Sequence, residues 1–266
     1  MAHLTNGLVL SLQKISGNAG RLCYQSIVNA SNITATSFLT TGSTSFPASN
    51  MANPATAFGW EASSTADQTI TILNAAATPI DYVGIARHNL NQPGLEIRVR
   101  FDGSTVAPYS SVSEAQALLF LFASASPSTI QIDIRGATNA AKIAVVYVGQ
   151  SVQLERDIYV GHTPINYGRD RSVVNGVSQS GEFLGEIVTN QSLSTNVSLQ
   201  NLTPIWYREN LDPYFRQSPR LPCFWAWRPL TYATEVGYCW VEGNPRPVNQ
   251  RSNGMMSISW NFRGIE

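Results

Sequence analysis

The chain has 266 residues, a formal net charge of +0 and a pI near 6.8. That balance excludes sequence-independent binding to phosphate backbones or anionic lipid as a principal role, since both need a basic surface. The length allows one large domain or two modest ones.

Only 13% of the residues are charged, about half of the roughly 25% in an average globular domain. Ser, Thr, Asn and Gln therefore supply much of the polar surface. Lys14 and Lys142 are the only lysines, so the basic residues are almost all arginine. Interfaces enrich Arg over Lys because the flat guanidinium is weakly hydrated and forms forked hydrogen bonds; codon bias accounts for the same excess equally well.

The opening MAHLTNGLVLSLQK lacks the charged and long apolar regions of a cleaved export signal. The longest apolar run, ALLFLFASA from Ala117, is too short to span a bilayer, so no membrane insertion is expected. From there the first half reads as all-β. TITIL from Thr69, DYVGIARHNL from Asp81, LEIRVRFDG from Leu95, STIQIDIRG from Ser128 and AKIAVVYVG from Ala141 are short β-branched runs, several with apolar and polar residues alternating, the pattern of half-buried strands. Asp102 and Gly103 form a DG hairpin turn. SEAQALLFLFA from Ser113 fits a short helix capped by Ser113 or a buried strand equally well.

After Asp157, IYVGHTPINYGRDR is rich in Gly, Pro and polar residues and reads as a linker. SVVNGVSQSGEFLGEIVTN then reads as a strand, a turn at SQSG and a longer strand. In NLTPIWYRENLDPYFRQ, Thr203 is placed as an N-cap with Pro204 at the first helical position. Ile205, Trp206, Leu211, Tyr214 and Phe215 share an apolar face, and Pro213 must kink or restart the helix. PCFWAW, YATEVGYCWVEG and GMMSISWNFRG close the chain as strands. The expected organisation is mainly β: a jelly-roll sandwich over 1–157, a linker over 158–167, and a β-sandwich with one helix over 168–266.

Catalytic patterns are absent. His3, His88 and His162 have no ligand-spaced neighbours, so no metal is expected. There is no GxSxG elbow, no phosphate-cradling glycine loop and no cysteine in a protease setting. Glu182 and Glu186, four apart along a strand, would lie about 13 Å apart, beyond either glycosidase spacing. Cys23, Cys223 and Cys239 read as small buried hydrophobes, with a Cys223–Cys239 pairing left open. The sequons at Asn29, Asn32, Asn190, Asn196 and Asn201 carry little weight in so Asn- and Ser-rich a chain. No enzyme activity and no cofactor are expected.

Two resemblances add to this. A hairpin with a polar turn, the LTPIWYRENLDPYF helix, and the PCFWAW, YCWVEG and final strands resemble the tail-tube-like domain of phage distal tail and minor tail proteins, over residues 168–266. NPATAFGWEASSTADQTITILNAAATPIDYVGIARHNL and IRVRFDGST resemble the discoidin-like, or galactose-binding-like, jelly roll carried by tail and baseplate proteins. These resemblances imply a structural virion protein that assembles in the bacterial host cytoplasm. It would form a homo-oligomeric ring at the distal tail or baseplate, with the tail tube and baseplate hub or fibre proteins as partners, and with DNA only as transient cargo in the lumen. The rival is a carbohydrate-binding module for host attachment.

In PCFWAWRP, strand alternation points Cys223, Trp225 and Trp227 one way and Phe224 and Ala226 the other. Both faces are apolar. One packs inward; the helix, the jelly roll and a neighbouring subunit are each candidates to cover the other. Phe183, Arg208, Trp225, Trp227 and Arg228 are the candidate subunit-interface residues. Trp60, Tyr82 and Tyr109 read first as plugs of the sandwich ends, with Trp60 and Tyr109 the candidate glycan contacts.

Overall fold

The computed structural model describes residues 2–4, 18–158, 160–218, 221–250 and 252–265. The described residues are mainly β, with three large stacked sheets, a two-stranded ribbon of Thr40–Thr41 and Thr44–Ser45, and one long helix. Thr129–Arg135 lies centrally in an outer sheet, between Glu96–Phe101 and Gln68–Leu73. Glu96–Phe101 turns into Ser104–Ser111 through Asp102 and Gly103, whose φ values of 46° and 81° are the paired left-handed conformations of a two-residue hairpin turn.

The middle sheet runs Ala2–Leu4, Leu118–Ala125, Ile80–His88, Lys142–Gly149 and Trp60–Glu61. The SEAQALLFLFA segment is thus a strand from Leu118, and the reason is burial on both faces. Leu118, Phe120 and Phe122 enter the core shared with the outer sheet, while Leu119 and Leu121 point to the opposite side. Val83 and Ile85 alternate with Tyr82 and Ala86 in the same way. A strand covered on both faces reads as a continuous apolar run, which hides its period of two.

The third sheet runs Val152–Gln153, Arg21–Cys23, Cys223–Ala226, Val236–Glu242, Met256–Ile265, Phe183–Leu202 and Arg169–Val177. Two of its strands come from the N-terminal side of the border expected at 157. Leu22 pairs with Trp225, and Val152 with Leu22. Hydrogen bonding therefore crosses that border. The segment read as a linker is packed where it is described: Ile165 is buried, seated against Gly237 and Gly264. A Cβ at Gly237 would lie 2.8 Å from the Ile165 side chain, so only the missing side chain lets this connection press on the sheet.

PCFWAWRP is covered on both sides by its own chain. Cys223 and Trp225 enter a core with Leu211 and Tyr214 of the helix and with Trp260 and Phe262. Phe224 and Ala226 face the middle sheet across a seam with Tyr82, Leu119, Tyr147 and Tyr238. Phe224 sits over Gly84, whose Cβ would lie 2.7 Å from the ring.

The helix spans Pro204–Trp206, Tyr207–Leu211 and Asp212–Gln217 without a break. Pro213 neither stops it nor restarts it. A π-type turn over Tyr207–Leu211 precedes the proline, widening the helix where the ring removes a donor and would crowd the carbonyl four residues back. Thr203 occupies the cap position without a side-chain capping bond; instead its N–H donates to Glu155 Oε2 at 2.8 Å. Leu211 and Tyr214 are buried as expected, and Trp206 and Phe215 pack at the edge of the core. Ile205 is 68% exposed and does not belong to the buried face.

Candidate functional site

The most unusual surface is the hairpin formed by Arg169–Val177 and the first half of Phe183–Leu202. From Leu193 onward the longer strand is anchored, pairing with Met256–Ile265. Before Leu193 it pairs only with Arg169–Val177, so residues 172–190 form a two-stranded arm. The turn at SQSG closes as the sequence indicated: Ser178 N–H donates to Glu182 O at 2.9 Å, Glu182 N–H donates to Ser178 Oγ at 3.0 Å, and Gly181 takes φ 86°.

Both faces of this arm expose apolar side chains, with the Asn175–Glu186 pair the polar break on one of them. Val173 lies opposite Val188 on one face, and Val174 opposite Ile187 on the other, with Val174 and Ile187 59% and 70% exposed. Val177, Phe183 and Leu184 are also exposed near the tip. Among the described residues, none covers either face. A lone two-stranded hairpin is marginal in water, and unpaired edges with bare apolar faces are templates for association. Phe183, alone among the candidate interface residues, lies on this arm. Its neighbours Val173, Val174, Leu184, Ile187 and Val188 were missed. The signal for them was in the doublets VV, FL and IV: adjacent apolar residues in a strand point to opposite faces.

The other candidates fall elsewhere. Trp225 is fully buried inside the chain and cannot meet a neighbouring subunit. Trp227 lies beyond the strand and half-buried, stacked on Tyr232 at 5.3 Å, with its Nε1–H donating to Glu235 Oε2. Arg228 is partly exposed, 3.7 Å from Asp157 and 5.3 Å from the Trp227 ring centre. Arg208 is exposed on the helix and donates to Pro204 O at 2.8 Å.

Trp60 is 1% exposed, with Nε1–H donating to Ser37 O at 2.7 Å, so its indole is a core plug and not a glycan contact. Tyr82 is likewise buried, its hydroxyl donating to Gln25 O. Tyr109 is half-buried, but the guanidinium carbons of Arg135 and Arg98 lie 3.7 and 4.5 Å from its ring centre, occupying the area a sugar would need. Those arginines are held in turn by Glu96 and Asp133.

Alongside the arm's base the third sheet presents a polar, sparsely charged face. Asn196 Nδ2 donates to Asn261 Oδ1 at 2.7 Å and Ser259 Oγ to Ser198 Oγ at 2.9 Å, with Arg263 and Glu242 paired at 3.2 Å. A shallow cleft of about 340 Å³ runs past Asp170, Asn196, Glu242 and Asn261. Glu182 and Glu186 are exposed, and Glu182 sits in the turn.

Among the described residues no three His, Cys, Asp or Glu side chains converge on a metal position, and no helix is long and apolar enough to cross a membrane. Cys223 and Cys239 lie directly opposite each other as buried free thiols, their sulfurs 3.8 Å apart. Burial pushes the Cys23 and Cys239 thiols up, away from the reactive thiolate.

His88 ends its strand, buried, with Nε2 against Gln116 O at 2.8 Å and Nδ1 accepting from Leu90 N–H at 3.2 Å. Burial pushes its imidazole down to about 4, against the opposing bond to Gln116. The unfolded chain takes up this proton first, near pH 6.5. Stability contributed by neutral His88 is therefore complete above pH 6.5 and falls by up to about 3 kcal/mol as pH drops towards 4. Urea midpoints at pH 7 and 4.5 should show this loss, and His88→Gln should flatten it; an unchanged pH slope in that variant would refute the assignment.

No protein-family model and no curated protein sequence matches the chain. Solved structures similar to part of it include carbohydrate-binding modules. A pectin-binding module has a TM-score of 0.35 at 14% identity, covering 47% of this chain and 91% of its own. Chitosan-binding module 1 from a chitosanase/glucanase of Paenibacillus sp. IK-5 scores 0.36 at 14% identity, covering 47% and 98%. A module from Clostridium perfringens solved with GalNAc-β-1,3-galactose scores 0.35 at 15% identity, covering 44% and 93%. At these values no function is transferred from them.

Proposed function

We propose that the protein is a structural, non-enzymatic subunit of a long-tailed phage tail, forming a homo-oligomeric ring at the distal tail or baseplate that joins the tail tube to tail-tip proteins or fibres. The observation that carries this reading is the arm over residues 172–190, which exposes apolar side chains on both faces and is covered on neither by any described residue. Its shape suits insertion between neighbours. One arm meeting a different patch on the next copy is a head-to-tail contact, which closes into a ring when the rotation closes.

The Asn- and Ser-lined face beside the arm's base suits a lumen through which DNA passes without being held, because retention would need a basic stripe and the chain has no net charge. The N-terminal sandwich, continuous with the third sheet through the Phe224 seam, would ride on the outside of the ring and meet the hub or fibre proteins.

Light scattering on the purified chain over a rising concentration series, followed by electron microscopy of the largest species, tests the proposal. Closed rings with a central opening, and the same protein at the tips of assembled tails, are expected. A chain that remains single at high concentration and is missing from tails would overturn it.

A further inference from the structure

The charges of the arm are sorted along its length. Arg169 and Arg171 stand at the base, opposite Leu193 and Gln191, and Glu186 stands near the tip, opposite Asn175. Glu182 follows in the closing turn. The register skips Thr189 and Leu184, so both bulges fall on the longer strand and alternation along Arg169–Val177 is unbroken. One face therefore carries Arg169, Arg171 and the Val173–Val188 pair, then Asn175 with Glu186, then Val177 with Phe183. Both arginines are at one end of it and the acids at the other.

Within one chain the two ends do not neutralise each other. Arg171 and the Asn175–Glu186 pair lie four residues apart along the strand, about 13 Å, more than the screening length of about 8 Å at physiological ionic strength. All four side chains are exposed, and no ion pair with a described residue holds any of them. In a chain with only 13% charged residues, two like charges set side by side at each end of an uncovered arm are not required by the fold. Each end also offers a ring: Phe183 at the tip is 67% exposed, and Tyr167, two residues before Arg169, is 65% exposed.

We infer that copies of the chain join tip to base, with Glu182 and Glu186 of one arm set against Arg169 and Arg171 of the next and Phe183 packed beside them. This pairing rests on the ring assembly proposed above and names the patch that each arm meets. The occupant is a second copy because acids and bases are matched two against two on the same arm, so one surface carries both halves of the contact. A nucleic-acid or anionic lipid surface would attract the arginines and repel the acids. Each added copy covers one base and brings a new uncovered one, so the contact repeats head to tail.

Three variants of the full chain test the pairing by light scattering over a concentration series: Glu182→Arg with Glu186→Arg, Arg169→Glu with Arg171→Glu, and all four changes together. Either pair of reversals should raise the concentration needed for association ~10-fold or more, because like charges then meet. The fourfold variant exchanges the two ends and should return to within ~3-fold of the parent. Salt at about 0.5 M should weaken the parent and the fourfold variant alike. Melting temperatures should stay near the parent's, since all four side chains are exposed. Where a reversal lowers the melting temperature, Glu186→Gln and Arg171→Gln replace it, with ~3-fold weakening expected of each. A parent that associates while the reversals change nothing, or whose fourfold variant does not recover, overturns the pairing and leaves the ring standing. A parent that stays single at every concentration overturns both.

Discussion

Changing Val174→Lys together with Ile187→Glu should keep the protein as single copies at concentrations where the proposed ring forms, without lowering its melting temperature. The two residues lie opposite each other on one face of the arm and are 59% and 70% exposed. Exposed side chains add little to the isolated fold, and an opposite-charge pair across the strands supports the hairpin by about 0.2–1 kcal/mol. In an assembly the same two side chains would be buried. Burying a Val and an Ile contributes about 1.5–3 kcal/mol each, so losing both weakens each contact by ~3 kcal/mol or more, roughly 100-fold. Burying two charges in their place adds a further cost. Light scattering over a concentration series reads the result. If the variant associates at the same concentration as the parent, the arm is not the contact.

Phe224→Ala should cost about 3–5 kcal/mol of folding stability, read as a lower midpoint in urea. The ring is wedged in the seam between the middle and third sheets, with Tyr147 and Tyr238 at 5.7 and 5.0 Å between ring centres and Gly84 beneath. Backbone on both sides is fixed by sheet hydrogen bonds, so the space left behind cannot collapse. Gly84→Ala alone should also destabilise, by ~1–3 kcal/mol, because its Cβ would lie 2.7 Å from the Phe224 ring. Combined, the two changes should cost less than their sum, since the new methyl enters the vacated space. Additive costs would mean the two residues do not oppose each other across the seam.

The same pair of residues shows where sequence reading stops. Alternation along PCFWAW correctly separated Cys223 and Trp225 from Phe224 and Ala226, because strand geometry is local. Which layer covers each face is a long-range matter, and Phe224 meets a strand some 140 residues earlier in the chain. Trp225 looked like an interface residue for that reason alone. The arm is the converse case: its strands and its SQSG turn were legible from β-branched runs and a polar break, yet the same apolar doublets would suit a strand buried on both faces. Arg87 gave no signal at all, since a left-handed residue within a strand is imposed by its surroundings and not by its own type.

By itself the amino-acid order determined the mainly-β character, most of the strand positions, the DG turn and the helix start at Pro204, because those follow from side-chain period and turn chemistry within a few positions. Only the tertiary structure decided that Arg21–Cys23 and Val152–Gln153 join the third sheet, that Trp60 and Trp225 lie inside, and that no described residue covers residues 172–190. The reason is that burial depends on what the rest of the chain brings to each face, and hydrophobicity states only that a face must be covered.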